Sequence, residues 1–333
     1  MKTAFIAGIT GQDGSYLAEL LLEKKYQVVG LVSSKHDIGF QNIKHFKHQL
    51  TLETGDLLDK NSLEKIIKKH SPSEIYNLAG LTFVPASWKN PSLTIDINTL
   101  GLSRIIEVVR DSLPTARIYQ ATSAKIFGTP EITPQTETTP PNPVDPYGVS
   151  KTAAHQLVST MRKQFNLFAV SGILYNHESE RRGIEFVTRK ITHTAVKIKL
   201  GLETELILGN LEATQDWGYA PDYVKAMWLM LQNDKPIDYI IASGELHSVK
   251  DVCQTAFTHL GLDYQDYVKI DKKFFRKTES QLIIGNPAKA KKELGWQPEF
   301  SFKDMIIKMV ENDLLLMRKL RTSRKVRNNS SNI

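Results

Sequence analysis

Tyr147 and Lys151 stand four residues apart in the run Pro146-Tyr-Gly-Val-Ser-Lys151. On a helix that spacing sets both side chains on one face. A cation beside a phenol stabilises the phenolate and draws its pKa down toward neutrality. Such a tyrosine can take the proton of an alcohol while the carbon gives a hydride to a nicotinamide. A place for that nicotinamide lies far upstream, in the glycine-rich turn Gly8-Ile-Thr-Gly11-Gln-Asp-Gly14. Glycines there allow a tight turn, close approach of backbone to a pyrophosphate, and close packing of helix on strand. The unpaired N–H groups opening the next helix then face the phosphates. The two motifs together read as nicotinamide-dependent redox chemistry at a hydroxyl.

The elements around these residues must bring both motifs to one crevice. The first half of the chain alternates short apolar runs with helical patterns, as a parallel, doubly wound α/β sheet requires. Thr3 to Ala7 reads as a first strand, too short for a signal peptide, and Ser15 to Lys24 as the helix after the glycine turn. Strands are expected at Gln27 to Val32, Leu50 to Glu53, Glu74 to Leu78, Ala116 to Ala121 and Ala169 to Leu174, with helices at Asn61 to Lys69 and Asn98 to Val109. The proline- and threonine-dense stretch from Thr129 to Pro146 reads as an irregular loop delivering Tyr147 to its helix. The expected architecture is a Rossmann-type domain over residues 1–175 and a smaller, interleaved C-terminal substrate lobe over 176–316, with later strands returning to the sheet from about 200–245. Two late helices are expected at about Val249 to Leu260 and Phe302 to Arg318.

Composition narrows the class. The chain has 333 residues, 41% hydrophobic and 24% charged, which suits a soluble α/β domain with an added lobe. No apolar run approaches the roughly 20 residues of a membrane span. Cys253 is the only cysteine, so no disulfide can staple the monomer, and a reducing cytoplasm is the expected compartment. Clusters of cysteine and histidine suited to a metal are missing from the sequence. The net charge of +7 comes largely from Arg318, Lys319, Arg321, Arg324, Lys325 and Arg327. These crowd a tail, residues 317–333, expected to be disordered, so the charge does not argue for a nucleic-acid partner.

The end of the second strand decides which dinucleotide is held. NAD sites usually place an acid there for the ribose hydroxyls. Here the sequence is Val32-Ser33-Ser34-Lys35, and small hydroxyls with a cation favour a 2′-phosphate, hence NADP over NAD. Asp37 would serve NAD if the strand ran longer. Asp56 and Leu57, after the third strand, are placed to contact adenine.

With these residues in view, the chain resembles the extended short-chain dehydrogenases/reductases, which the Gly-x-x-Gly-x-x-Gly spacing also favours. Within them it is most similar to the GDP-mannose 4,6-dehydratase branch, from Thr3 to about residue 316. The likeness rests on Gly8-Ile-Thr-Gly-Gln-Asp-Gly-Ser-Tyr-Leu17, Asn176-His-Glu-Ser-Glu-Arg-Arg-Gly183 and Phe186-Val-Thr-Arg-Lys-Ile191. Asp216-Trp-Gly218, Asp222-Tyr-Val224 and Leu294-Gly-Trp296 extend it. The resemblance implies that Ser123 holds a sugar's O4, Tyr147 takes its proton, and Lys151 grips the ribose and tunes the tyrosine. It implies a dinucleotide site that includes Thr10, Gln12, Asp13 and Leu78 besides the three glycines. It also implies that Ser87, Asn176, Val187, Lys190, Gln215, Arg276 and Glu279 line the site of a GDP-linked sugar.

The departures carry as much information. The family reads Ser-Thr-Ser-Glu before an aromatic and a glycine, whereas this chain reads Thr122-Ser123-Ala124-Lys125-Ile126-Phe127-Gly128. The missing glutamate is the base that removes the C5 proton so that water can leave from C6. A lysine cation cannot accept that proton. The family's diphosphate-binding arginine is Gln215 here, and its Ser-His pair beside the sugar is Thr82-Phe83, which makes the pocket less polar. The double arginine that helps the family's tetramers share cofactor contacts is Ser33-Ser34, so a homodimer is expected before a tetramer. The leading expectation is an enzyme acting at C4 of a GDP-hexose or GDP-heptose without removing water, as a 4-epimerase or a 4-keto reductase. The alternatives are a 4,6-dehydratase using Lys125 as base, and a non-catalytic binder of nucleotide sugar.

Overall fold

Burial along the first strand sets the architecture. β1 (Thr3–Ala7) sends Ala4 and Ile6 to one apolar cluster and Phe5 and Ala7 to another, and all four are fully buried. A strand apolar on both faces must be covered on both sides, which is the condition of a parallel sheet. The computed structural model describes residues 1–33, 37–275 and 282–330, with backbone alone at 37–39 and 320–330. Five strands follow β1 in the first half: β2 (Gln27–Val32), β3 (Thr51–Thr54), β4 (Glu74–Asn77), β5 (Arg117–Ser123) and β6 (Ala169–Leu174). Six more complete the set: β7 (Asn176–Glu178), β8 (Leu206–Leu208), β9 (Thr214–Tyr219), β10 (Tyr239–Ile241), β11 (Leu246–Ser248) and β12 (Val268–Ile270).

The main sheet has seven strands in the order β10-β6-β5-β4-β1-β2-β3, with every pair parallel. This is a Rossmann-like doubly wound sheet, and its strand order reverses at β1. The helices Gln12–Glu23 and Ala220–Gln232 cover one face through Leu17, Leu21, Met227 and Met230. Lys60–His70, Gly101–Ser112 and Pro146–Phe165 cover the other through Ile67, Ile105 and Val158. Of the segment expected to return to this sheet, one strand does so, β10, beside β6. The others build the lobe, where β9 lies between β11 and β7, and β8 pairs with β12.

Caps set the local boundaries. Gly11, extended at φ −70° and ψ 176°, is the N-cap of Gln12–Glu23, so that helix starts three residues before the position its apolar period suggests. Asp59 accepts from the N–H groups of Asn61 and Ser62, while Lys68, Lys69 and His70 sit in the last turn of that helix, where the dipole favours cations. The expected helix at Asn98 to Val109 opens with a π-helical turn, Asp96–Leu100, that leads into Gly101–Ser112. At the other end the helix expected over about Phe302 to Arg318 runs further. The helix beginning at Phe302 continues to Ser330, because 302–330 contains neither glycine nor proline to stop it. The last buried side chain described on it is Met317.

Candidate active site

The glycine turn is closed by backbone from the neighbouring strand. Gly8 has φ +87°, and a Cβ on it would lie 2.8 Å from the Ala79 nitrogen, so only glycine fits. A Cβ on Gly14 would come within 2.1 Å of the Gly8 carbonyl oxygen. Gly11 meets only that same oxygen, at 3.3 Å. The helix that Gly11 opens has no side-chain cap, and the turn lies beside Leu78 and Ala79 at the sheet's switch point. Leu78 donates its N–H to the Ala7 carbonyl at 3.0 Å, and Asn42 donates to the Thr10 carbonyl at 3.1 Å. A crevice floored by glycines and headed by helix N–H groups fits a dinucleotide pyrophosphate.

Ser123, Tyr147 and Lys151 converge beside that crevice. Ser123 ends β5, and its Oγ accepts from the Lys125 backbone N–H at 3.2 Å. Asp145 caps the Pro146–Phe165 helix by accepting from the Gly148 N–H at 2.7 Å, which fixes Tyr147 in the first turn. Lys151 is buried one turn on, its Nζ 5.8 Å from the Tyr147 ring centre and donating to the Ala121 carbonyl at 2.9 Å. Burial pushes the Tyr147 phenol up to about 12, against the opposing pull of its Ser123 hydrogen bond and the Arg182 charge. Burial also draws Lys151 down to about 8, with Asp13 pulling the other way. Desolvation of the ring is the largest of these influences on the phenol.

Asn98 escaped the sequence reading. It lies in the π-helical turn, accepts from the Leu81 N–H at 2.9 Å, and donates to the Ser150 hydroxyl at 3.0 Å. It thereby ties the loop after β4 to the helix that carries Tyr147 and Lys151. A buried asparagine amid an amphipathic period was the available signal. The Asn176-His-Glu-Ser stretch has a bracing role as well. His177 donates Nε2–H to Asp13 at 2.8 Å and Nδ1–H to the Tyr175 carbonyl at 2.7 Å, and its ring stacks on Tyr223. Both partners are acceptors, so both ring nitrogens carry protons. Burial alone would lower the His177 pKa, but Asp13 and the Tyr175 carbonyl raise it overall. Burial would likewise raise Asp13, yet His177 and Gln12 bring it below its ordinary value. Gln12 also donates to the His177 carbonyl and accepts from Ser179, so the glycine turn and β7 form one unit.

The remaining expected residues fall into three groups. Asn176 donates to Gln215 at 2.8 Å across β7 and β9, and Val187 opens the Val187–Lys199 helix on which Lys190 reaches the Ile207 carbonyl at 2.7 Å. These four belong to the lobe. Ser87 is buried with its hydroxyl on the Val84 carbonyl inside its own short helix. Asp56 accepts from the Leu58 N–H as a turn aspartate does, Leu57 is buried, and Ser33 is exposed at the end of β2. Lys35, Arg276 and Glu279 lie outside the described residues. Lys125 is half-buried on the 3-10 turn Ala124–Ile126, whose backbone packs on the helix beside Tyr147: a Cβ on Gly148 would lie 2.7 Å from the Lys125 carbonyl oxygen.

Other quoted motifs act as locks. Asp216 accepts from the N–H groups of Ser243, Gly244 and Gly285, and Asp222 from those of Glu299 and Phe300. Trp296 donates to the Asp222 carbonyl at 2.7 Å.

Comparison with known proteins gives the same outline. The model of the GDP-mannose 4,6 dehydratase family matches residues 5–309. The Arabidopsis thaliana protein named GDP-mannose 4,6 dehydratase 1 is 45% identical over 331 residues, covering 96% of this chain and 91% of its own. The Homo sapiens GDP-mannose 4,6 dehydratase is 42% identical, covering 95% of this chain and 92% of its own. Among solved structures, the Thermus thermophilus UDP-glucose 4-epimerase complexed with NAD superposes with a TM-score of 0.82 at 23% identity, covering 93% of this chain and 98% of its own.

Proposed function

Since this chain belongs to the GDP-mannose 4,6-dehydratase family but carries Lys125 where that family places its glutamate base, we propose that it works at C4 of a GDP-linked hexose or heptose without removing water. It is an NAD(P)-dependent sugar-nucleotide enzyme of the short-chain dehydrogenase type. A bound nicotinamide dinucleotide supplies or accepts the hydride. Gly8, Gly11 and Gly14 would hold its pyrophosphate and Lys151 its ribose, and Ser33 in place of an acid at the end of β2 supports NADP over NAD. Ser123 orients O4 of the sugar, and Tyr147 gives or takes the proton there. Both a 4-epimerase and a 4-keto reductase need these residues and no more.

The observation that carries this reading is Lys125. Elimination across C5 and C6 needs a proton acceptor, and a cation in the acceptor's place stops that step while leaving C4 chemistry intact. Dehydration with a neutral Lys125 as base is the second reading, favoured by the identity to named dehydratases.

The assembly we favour is a homodimer. Leu93 and Leu100 on the segment after β4, and Val149 on the Tyr147 helix, are exposed apolar side chains on elements that pack together. Among the described residues no helix is long and apolar enough to cross a membrane. Cys253, the only cysteine of the sequence, is buried and can form no disulfide within the chain, which suits a reducing compartment.

The test is product analysis by mass spectrometry and NMR after incubation with GDP-mannose and NADP in deuterated water. A C4 epimer without water loss is expected of an epimerase, and turnover of a 4-keto sugar with NADPH of a reductase. Loss of water with deuterium at C5 would refute the reading. Tyr147→Phe should cut turnover by about 10²- to 10⁴-fold with cofactor affinity kept.

A further inference from the structure

The helix Phe302–Ser330 changes character along its length. Its first part packs on the lobe through Met305, Ile306, Met309 and Val310, all fully buried. Beyond Met317 the backbone stays helical to Ser330, about 20 Å further at the rise of an α-helix. That stretch contains Arg318, Lys319, Arg321, Arg324, Lys325 and Arg327, and residues 314–333 include neither aspartate nor glutamate. Just before it, Leu315 and Leu316 are 52% and 48% exposed. Helix stability does not account for so much charge. The helix dipole favours cations only in the last turn, where Arg327 alone stands. Arg321 is spaced three and four residues from Arg324 and Lys325, and Arg324 three from Arg327. Like charges at those spacings destabilise a helix, and the segment has no carboxylate of its own to offset them. An extended anionic surface would remove that cost.

We propose that this basic extension docks the protein on a membrane surface rich in anionic lipid, with Leu315 and Leu316 entering the headgroup layer. The contact is independent of the C4 chemistry. Clustered lysines and arginines are drawn to the negative potential of such a surface, and each one near it adds to the attraction. Nucleic acids also offer phosphates, but two features favour lipid. A pair of exposed leucines beside the cations gains from leaving water where an apolar layer lies at hand. Residues 303–333 contain no phenylalanine, tyrosine or tryptophan that could stack on a base. The extension is too polar to cross a bilayer, so it lies on one. Firm anchoring takes two strong signals, and here one is strong and the other is two side chains. The binding is therefore reversible. It is also sensitive to salt, because the attraction fades within a Debye length of the surface.

Sedimentation of the full chain with vesicles is the test. Phosphatidylcholine vesicles carrying about one-third phosphatidylserine should bind it roughly tenfold or more tightly than phosphatidylcholine alone. Raising the salt from about 0.1 to about 0.5 M should release most of the bound protein. Changing Arg321, Arg324, Lys325 and Arg327 together to glutamine should cost roughly tenfold or more in vesicle affinity, with NADP affinity and the unfolding midpoint kept. Leu315→Ser combined with Leu316→Ser should weaken vesicle binding by about three- to tenfold. Equal binding to neutral and anionic vesicles, or full binding by the glutamine variant, overturns the proposal. Full binding by the serine variant, or tighter binding to RNA or duplex DNA than to anionic vesicles at equal phosphate concentration, overturns lipid as the partner.

Discussion

Tyr147 and Lys151 are both buried, and burial acts on them in opposite directions. The neutral form is favoured in each case, so the phenol holds its proton up to about 12 and the ammonium loses one near 8. At neutral pH the pair therefore presents a protonated tyrosine and a charged lysine, which in the proposed reaction would give the proton and hold the ribose. As pH rises through about 8, Lys151 becomes neutral while Tyr147 is unchanged. For reduction of a 4-ketone, kcat/KM should be flat near neutrality and fall about tenfold per pH unit once Lys151 has discharged. The profile of kcat/KM against pH with saturating NADPH checks this, since it reports the enzyme before sugar binds. A rate that climbs from pH 8 to 10 would mean that deprotonation of Tyr147 limits the reaction and that the phenol acts as base. His177 follows a different rule, because its pKa is raised and that of Asp13 lowered. The pair stabilises the fold above the ordinary Asp value of 3.8, and its contribution fades only as pH passes the raised value of His177, above 6.5.

The strand, turn and helix around Gly8 to Gly14 show how three glycines can differ in purpose. A methyl on Gly14 meets backbone at 2.1 and 2.7 Å, which no side-chain rotation can relieve, whereas a methyl on Gly11 meets one oxygen at 3.3 Å. Gly14→Ala should therefore destabilise the protein by about 1–3 kcal/mol, toward the upper end because the obstacle is backbone. Gly11→Ala should leave thermal unfolding nearly unchanged and still weaken the dinucleotide, because its methyl stands where the pyrophosphate approaches. Unfolding curves with NADP titrations on both variants separate the two effects, and equal losses of stability would contradict the assignment. This element was legible in the sequence because its signals are local: glycine spacing, an apolar strand before it, a helical period after it. The Tyr-x-x-x-Lys pair was legible for the same reason. Asn98 and the Asp13–His177 bridge were not. The bridge joins residues 164 positions apart, and Asn98 owes its place to a π-helical turn that no simple period announces. The helical start at Gln12 was missed because Gly11 caps through its backbone, without the side chain that usually marks an N-terminus.

At the scale of the whole molecule, the lobe must hold the helix that bears Val187 and Lys190, proposed to line the GDP site, steady against the sheet domain. The Val187–Lys199 helix rests on the long C-terminal helix through Ile191, Ala195, Met305 and Met309. Within that contact Arg189 is paired with Asp313, which is only 2% exposed and accepts also from Thr192 at 3.3 Å. His193 approaches the other carboxylate oxygen at 3.7 Å. Removing one member of such a pair strands the other charge in an apolar interior, whereas replacing both by apolar residues does not. Asp313→Ala should therefore destabilise the protein by about 3–5 kcal/mol, and Arg189→Met combined with Asp313→Leu should recover most of that loss. Because Val187 and Lys190 ride on the same helix, the single variant should also weaken GDP binding before it affects the dinucleotide. Ending the chain after Lys319 removes nothing that the described core uses, since Met317 is its last buried side chain, and should leave the unfolding midpoint in place. Calorimetry on the three variants, with GDP and NADP titrated separately, decides the matter. A single variant as stable as its parent would mean that apolar packing alone seats the C-terminal helix, and a truncated chain of lowered stability would mean that the basic segment belongs to the fold.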